Sequence, residues 1–184
     1  MPPTRPVVEL LAGYRPVDAA EKADVDRILE VADGAEDPWS QSIPLHLTAS
    51  AVVVHPPTGR VLLRWHARQQ AWLQIGGHGD PGESSPMEIA LREGLEETGL
   101  PDLAPWPSSE LVHAVIVGVV AKGDSPAHEH ADLRFVLSTD LPDTVRPEKP
   151  DALLRWLTVD EAMGATSEAN LQETLRRVGD LIAR

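Results

Sequence analysis

Apolar residues recur at helical spacing in three stretches of the chain and gather into valine-rich runs between them. Val25, Ile28, Leu29 and Ala32 fall at i, i+3, i+4 and i+7 in a segment that starts near Asp18 and stops at Gly34. That spacing predicts an amphipathic helix whose stripe packs on a neighbour. Residues 1–16 before it carry prolines and show no period, so they read as irregular. From Leu45 the pattern changes: Leu47 to Val54 and Arg60 to Trp65 read as paired strands, with Pro56-Pro57-Thr58-Gly59 as the turn between them. A short strand is expected at Trp72 to Ile75, and the glycine-rich run Gly76 to Gly82 reads as a loop.

Ser85-Pro86-Met87-Glu88 has the form of a capping box with proline at the first helical position, and Gly99 supplies a stop, predicting a helix from Pro86 to Thr98. Met87, Leu91 and Leu95 are expected to form its packing face. Leu111 to Ala121, Asp132 to Ser138 and Leu153 to Leu157 read as further strands. Leu171, Leu175, Val178 and Ile182 mark a closing helix from about Ser167 to Ala183. Strands with helices before, between and after them predict an α/β layered sandwich.

A chain of 184 residues fits one domain with a substantial core. Composition changes that picture in two ways. The net charge of −13 argues against tight, sequence-independent binding to a nucleic-acid backbone, and a phosphorylated substrate would need local cations from metal ions or arginines. The absence of cysteine excludes disulfides, thiolate metal sites and cysteine nucleophiles. The N-terminus lacks the pattern of a secretory signal and no run is long enough for a membrane span, so the expected location is cytoplasmic, with no membrane partner.

The candidate chemistry lies on the central helix. Glu93, Glu96 and Glu97 stand at i, i+3 and i+4, within about a 100° arc of one face. Three ionised carboxylates so placed repel unless a cation sits among them, and an all-oxygen cluster suits Mg²⁺ or Mn²⁺. Alone, such a cluster reads more often as a solvated helix surface. Its context reverses that reading: Gly77, five residues, Glu83, eight residues, then Arg92-Glu93-Gly94-Leu95-Glu96-Glu97-Thr98-Gly99-Leu100 resembles the Nudix box, G-x5-E-x7-R-E-U-x-E-E-x-G-U, where U is a bulky apolar residue. The flanking segments His46 to Ala51, Trp72 to Gln74 and Arg155 to Ala162 also resemble Nudix domains.

The resemblance implies an α/β/α Nudix-type sandwich with a mixed sheet, here over residues 45–184, preceded by an N-terminal extension, residues 1–44, whose helix packs on the domain. It implies divalent metal bound by Glu93, Glu96, Glu97 and the Gly76 carbonyl, with Glu83 as a secondary or water-mediated ligand and Arg92 orienting Glu83 or Glu93. Glu93, Glu96 and Arg92 are then the expected catalytic residues, with Glu93 assisting the attacking water. The chain departs from the pattern twice. One extra residue separates Glu83 from Arg92, which puts the placement of Glu83 in question, and Gly94 replaces the first bulky residue, at about 1 kcal/mol of helix propensity. A larger side chain from the sheet is expected to fill that space.

The implied reaction is Mg²⁺- or Mn²⁺-dependent hydrolysis of a diphosphate linkage in a nucleoside diphosphate joined to another group, with a non-catalytic nucleotide-binding or regulatory module as the alternative. The expected partner is a nucleotide-like small molecule, with no nucleic acid; a homodimer is left open. A second polar group, His128, His130, Asp132 and Arg134, should share one strand face by alternation and is read either as part of the substrate cleft or as a solvated edge. A zinc site there lacks an apparent third and fourth ligand. His78, in the glycine-rich run, joins His128, His130 and Asp132 as a candidate substrate contact, against the plainer reading of a surface loop histidine. Trp65, Trp72 and Trp156 are expected in or near the core, with Trp39 and Trp106 less constrained.

Overall fold

The computed structural model describes residues 5–121, 123 and 126–184; residues 1–4 of the N-terminal extension, Lys122, Asp124 and Ser125 lie outside the described residues. The chain forms α1 (Arg5–Gly13), α2 (Ala19–Gly34), β1 (Leu45–His55), β2 (Arg60–His66), β3 (Ala71–Leu73), β4 (Ile75–His78), α3 (Pro86–Thr98), β5 (Ala104–Pro105), β6 (His113–Val119), β7 (His128–Ser138), β8 (Leu154–Thr158), α4 (Val159–Ala165) and α5 (Ala169–Ile182). All eight strands join one sheet. Its spine is the parallel pair β1 and β7, in register from Leu45 opposite Glu129 to Val54 opposite Ser138. β2, β4 and β6 add antiparallel partners, so the sheet is mixed.

Strand alternation splits the core in two. Leu47, Ala49, Ala51 and Val53 of β1 and Leu133, Phe135 and Leu137 of β7 pack against α1, α2 and α3, while Val52, Val54 and Val136 on the other face pack against α4 and α5. The second face is not apolar throughout. Its first half is His46, Thr48 and Ser50 on β1 beside His130, Asp132 and Arg134 on β7, and that polar half carries the site described below.

Several local expectations are corrected. α1 forms where no period was read: Pro6 is tolerated in its first turn, and Val7 and Leu11 are buried, with Leu10 and Tyr14 packed beside them. Gly76 to His78 pair with Ser50 to Thr48 as a strand. Gly76 adopts φ 142° with the Ser50 Cα 2.4 Å from where a Cβ would sit, so a side chain is excluded by sterics rather than needed for a loop. β7 starts at His128, four residues before the predicted Asp132. On α3, Met87 and Leu91 pack on the core as expected, but Leu95 is 52% exposed and the most buried positions are Ile89, Ala90, Gly94 and Thr98, because Glu93 and Glu97 turn toward β4. Ser85 caps Glu88 N–H, whereas the reciprocal capping box forms at Thr158 and Glu161.

Residues 19–34 bury Val25, Ile28 and Ala32. The N-terminal helices are tied to the C-terminal one by a buried polar network: Tyr14 Oη donates to Glu21, and Arg177 donates to Glu21 at 2.7 Å and to the Val112 carbonyl at 3.1 Å. Burial alone would raise the Glu21 carboxyl, but the bonds from Arg177 and Tyr14 prevail and hold it below its ordinary value.

Candidate active site

α3 is positioned by Ser85 and Pro86 at its start and by Gly99, at φ 64°, at its end. This sets Glu93 and Glu97, one turn apart, over β4. The Glu97 carboxylate accepts the Gly76 N–H at 3.1 Å and pairs with Arg64 of β2 at 3.1 Å. A Cβ on Gly77 would lie 2.7 Å from Glu93 Oε1, so glycine there admits the carboxylate to the strand. Glu96 is set apart, with its side chain 53% exposed and bound to Arg92 at 3.1 Å. The three carboxylates share an arc of the helix, but only Glu93 and Glu97 reach the Gly76-Gly77 backbone.

Arg92 organises the rim. Its Nε and Nη2 donate to both oxygens of Glu83 at 3.0 and 2.9 Å, Nη1 donates to Glu93 and Glu96 at 3.1 Å each, and Nη2 donates to the His78 carbonyl at 2.9 Å. Glu83 also accepts the Asp80 N–H at 2.7 Å. The extra residue before the helix is absorbed between Glu83 and the Ser85 cap. Bonding from Arg92 holds the Glu83 carboxyl below its ordinary value. Burial acts oppositely on the inner pair: it raises Glu93 against the pull of Arg92, and it pushes Glu97 up to about 7 despite Arg64 and the Gly76 N–H.

Gly94 is accounted for by Leu103, whose Cδ1 lies 2.7 Å from a Cβ built on the glycine, with Leu137 Cδ1 at 3.5 Å. The space is filled first from the connection after α3 and only second from the sheet. Trp39 is 4% exposed and covers Gly79, where a Cβ would meet it at 3.1 Å. It is therefore a core residue of the glycine-rich segment.

A cavity of about 200 Å³ opens beside the inner carboxylates, lined on one side by Gly76, Gly77 and Glu97 and on the other by Thr48, Ser50, His130 and Asp132, with His78, Arg64 and Gln74 between. Asp132 is saturated, accepting from Thr48 at 3.1 Å, Ser50 at 2.9 Å, Gln74 at 3.2 Å and Arg134 at 2.7 Å. Burial would raise it, yet the charge and bonds of Arg134 outweigh burial and keep it ionised. Arg134 is anchored on α5 by Asn170 and Thr174. His128 does not line the cavity; it sits behind His130, Nε2 to Nε2 at 3.2 Å. Burial first, and neighbouring histidines second, lower His78 and His130 to about 4.

Two features escaped the sequence reading. Arg64 reaches Glu97 from β2, and its Nε is buried with no acceptor among the described residues. His46 lies opposite His130 in the β1–β7 register, and its Nε2 is 3.2 Å from that of His78. The only sequence signal for either was an odd polar residue in an otherwise apolar strand.

A mixed sheet with an acidic helix laid over a glycine strand, beside a polar cavity, is the arrangement of a Nudix-type hydrolase. Residues 44–178 match the NUDIX domain family model, and the chain belongs to that family, whose enzymes act on diphosphate linkages. Solved structures similar to it include a Caenorhabditis elegans Ap4A hydrolase binary complex (TM-score 0.60, 21% identity, 74% of this chain and 97% of that one). They also include the Escherichia coli dihydroneopterin triphosphate pyrophosphohydrolase (0.57, 18%, 75% and 96%) and a NUDIX-family hydrolase from Clostridium perfringens (0.51, 21%, 75% and 96%). At these identities the likeness concerns the fold. No significant match is found among curated proteins. Among the described residues no helix is long and apolar enough to cross a membrane.

Proposed function

We propose that this chain hydrolyses the diphosphate linkage of a nucleoside diphosphate joined to a second group, with Mg²⁺ or Mn²⁺ as cofactor. The observation that carries the reading is the meeting of Glu93 and Glu97 with Gly76 and Gly77, where Glu97 and both glycines wall the cavity. The donors fit a hard dication: two carboxylates and the Gly76 carbonyl are all oxygen, and burial leaves Glu97 under-neutralised by Arg64 alone. Glu83 and Glu96, turned to Arg92, stand one step further out and suit water-mediated contact.

When bound, the dication neutralises diphosphate oxygens and lowers the pKa of the attacking water. Glu93 takes the proton of that water: its carboxylate lies against Gly77, which lines the cavity, and burial raises its basicity above that of an ordinary glutamate. Arg92 fixes Glu93 through Oε1 and leaves Oε2 to face the dication and the water it holds. Arg64 and Gln74 offer N–H donors to the substrate, while His78, His130 and Asp132 form the opposite wall. The neighbours named for Ap4A and dihydroneopterin triphosphate make dinucleoside polyphosphates and pterin triphosphates the first compounds to include beside nucleoside diphosphate sugars.

The test is product release from such a panel with and without Mg²⁺, for the wild type and for Glu93→Gln and Glu97→Gln. Turnover by the wild type, lost by at least about a hundredfold in each variant, supports the reading. Near-native turnover in both variants, or binding of the panel with no hydrolysis by the wild type, overturns it.

A further inference from the structure

Four of the seven histidines in the sequence meet at one place. His46 Nε2 is 3.2 Å from His78 Nε2, and His128 Nε2 is 3.2 Å from His130 Nε2. Ring centroids of His46 lie 5.2, 5.4 and 5.0 Å from those of His78, His128 and His130. Among the described residues, His46, His78 and His130 are the one group of three side chains whose candidate ligand atoms all fall within 4.8 Å of one another; the carboxylates of α3 do not converge so closely.

The convergence follows from register. His46 and His130 are opposite each other on the parallel strands β1 and β7, His128 precedes His130 by two residues on the same face, and His78 closes the set because β4 pairs with Thr48, two residues beyond His46. Three strands that the sequence holds far apart thus each place imidazole on one patch of the sheet.

The rings pack on one another, His46 stacked on His128, and two pairs of Nε2 atoms also stand at the spacing of ligands. With metal–nitrogen bonds of about 2.0–2.1 Å, adjacent donors of a tetrahedron stand about 3.3 Å apart, close to the 46–78 and 128–130 separations; His128 lies outside the group of three and has to swing in beside His130 to complete four ligands. Second contacts orient the rings in the same sense: His46 Nδ1 faces the Ile43 carbonyl at 3.0 Å and His128 Nδ1 faces the Pro126 carbonyl at 2.9 Å. A ring that donates Nδ1–H to a carbonyl presents its Nε2 lone pair to the centre, which is how metal-bound histidines are held. In the metal-free chain those lone pairs accept N–H bonds from His78 and His130. The buried carboxylate of Asp132, next on the same face, favours positive charge there.

We propose that His46, His78, His128 and His130 form a binding site for a borderline transition-metal dication, Zn²⁺ foremost, separate in donor chemistry from the oxygen ligands of α3. All-imidazole ligation selects Zn²⁺, Cu²⁺, Ni²⁺ or Co²⁺ over Mg²⁺ and Mn²⁺. The ion ties β1, β4 and β7 together. Because His78 and His130 also wall the cavity, it adds positive charge on the side facing Glu97. On binding, His78 and His130 yield their Nε2 protons and become Nε2 ligands, either by moving the proton to Nδ1 or by releasing it to water when they were doubly protonated.

The test uses the full chain, stripped with a chelator and held in excess Mg²⁺ so that oxygen ligands are already served. It is titrated with Zn²⁺ by calorimetry and with Co²⁺ by visible absorption. The expected result is one equivalent bound per chain, a rise in melting temperature, and d–d bands of tetrahedral nitrogen coordination. His128→Ala, on the rim, should weaken binding by at least about tenfold, and His78→Asn should abolish it. Glu97→Gln should bind Zn²⁺ like the wild type. No binding in Mg²⁺ excess, binding unchanged in His128→Ala, or binding lost in Glu97→Gln would each overturn the proposal. The measurement involves no substrate, so its outcome is independent of that of the hydrolysis assay.

Discussion

Replacing Glu97 by glutamine separates the stability of the metal-free chain from its activity. The Glu97 side chain is 10% exposed, and burial moves its carboxyl from 4.5 to about 7 even with Arg64 at 3.1 Å. The folded state therefore holds this proton more tightly than the unfolded chain does. The stabilisation by the protonated form is complete below about pH 4.5 and is lost as pH rises toward 7. At about 1.4 kcal/mol per pH unit, ionised Glu97 lowers stability by on the order of 3 kcal/mol at pH 8. Glutamine stays neutral and lacks this pH dependence; like the protonated acid, it offers a full acceptor to only one of Arg64 and the Gly76 N–H, which meet different oxygens of Glu97. In chelator-treated buffer the variant should match the wild type at about pH 4 and melt roughly 6–12 °C higher at pH 8, given about 2–4 °C per kcal/mol for a chain of this size. Mg²⁺ at a hundred times its dissociation constant adds about 2.7 kcal/mol to the wild type and little to the variant, closing most of the gap. The assay is a set of thermal melts across pH with and without Mg²⁺. A difference that does not vary with pH, or a variant less stable at pH 8, would refute the burial argument.

Gly77→Ala should cut Mg²⁺-dependent kcat by at least about tenfold with little change in melting temperature, because the new Cβ, 2.7 Å from Glu93 Oε1, displaces a flexible carboxylate end; steady-state kinetics and melts check both halves. Arg92→Lys keeps one charge but loses the fork that holds Glu83, Glu93 and the His78 carbonyl together, and turnover should fall by about 10–100-fold, read in kcat over a Mg²⁺ titration. Glu21→Gln breaks the buried pair with Arg177 and should destabilise the chain by about 3 kcal/mol at pH 7, while turnover per folded molecule stays unchanged. The Glu21 carboxyl is held low in the fold, so its contribution is present above its unfolded value and fades as pH falls through the folded one; acid titration of the denaturation midpoint tests the sign.

What the sequence disclosed was local. The α3 glutamates repeat within about one turn of helix, so spacing alone placed Glu93, Glu96 and Glu97 on one arc, and capping residues fixed both ends of the helix. The direction of that arc was not legible. Met87 and Leu91 do pack on the core, but Leu95, expected beside them, is left 52% exposed because Glu93 and Glu97 turn toward β4. Alternation put His128, His130, Asp132 and Arg134 on one face, as β7 shows. Their partners depend on pairings between strands, 46 with 130 and 48 with 78, that no local pattern encodes. The same holds for Arg64, an arginine in an apolar strand until β2 and α3 meet. α1 had a readable period at Val7, Leu10, Leu11 and Tyr14, obscured by the prolines around it.

The acidity of the chain and the anionic substrate proposed for it are reconciled at the level of single arginines. Arg92 and Arg64 stand in the metal-free chain as counter-ions to Glu83, Glu93, Glu96 and Glu97. The two are not equivalent. Arg92 divides its N–H groups among three carboxylates and a carbonyl, so losing any one partner leaves it anchored, and its place is that of a fixed brace. Arg64 faces the cavity with Glu97 at 3.1 Å and Glu148 at 3.5 Å. A dication on Glu97 weakens the stronger of those attractions through like-charge repulsion and shared acceptors, at a separation where the interaction amounts to several kcal/mol in a partly buried site. In the proposed reaction the guanidinium then turns to the nearest unneutralised anion, the diphosphate in the same cavity. On the proposed function, metal on Glu97 would convert an internal counter-ion into a substrate donor. The positive charge that the proposed reaction needs would be held by Arg64 of β2 against the acidic helix until the cofactor binds, and a chain of net charge −13 offers a phosphate group little attraction before that point.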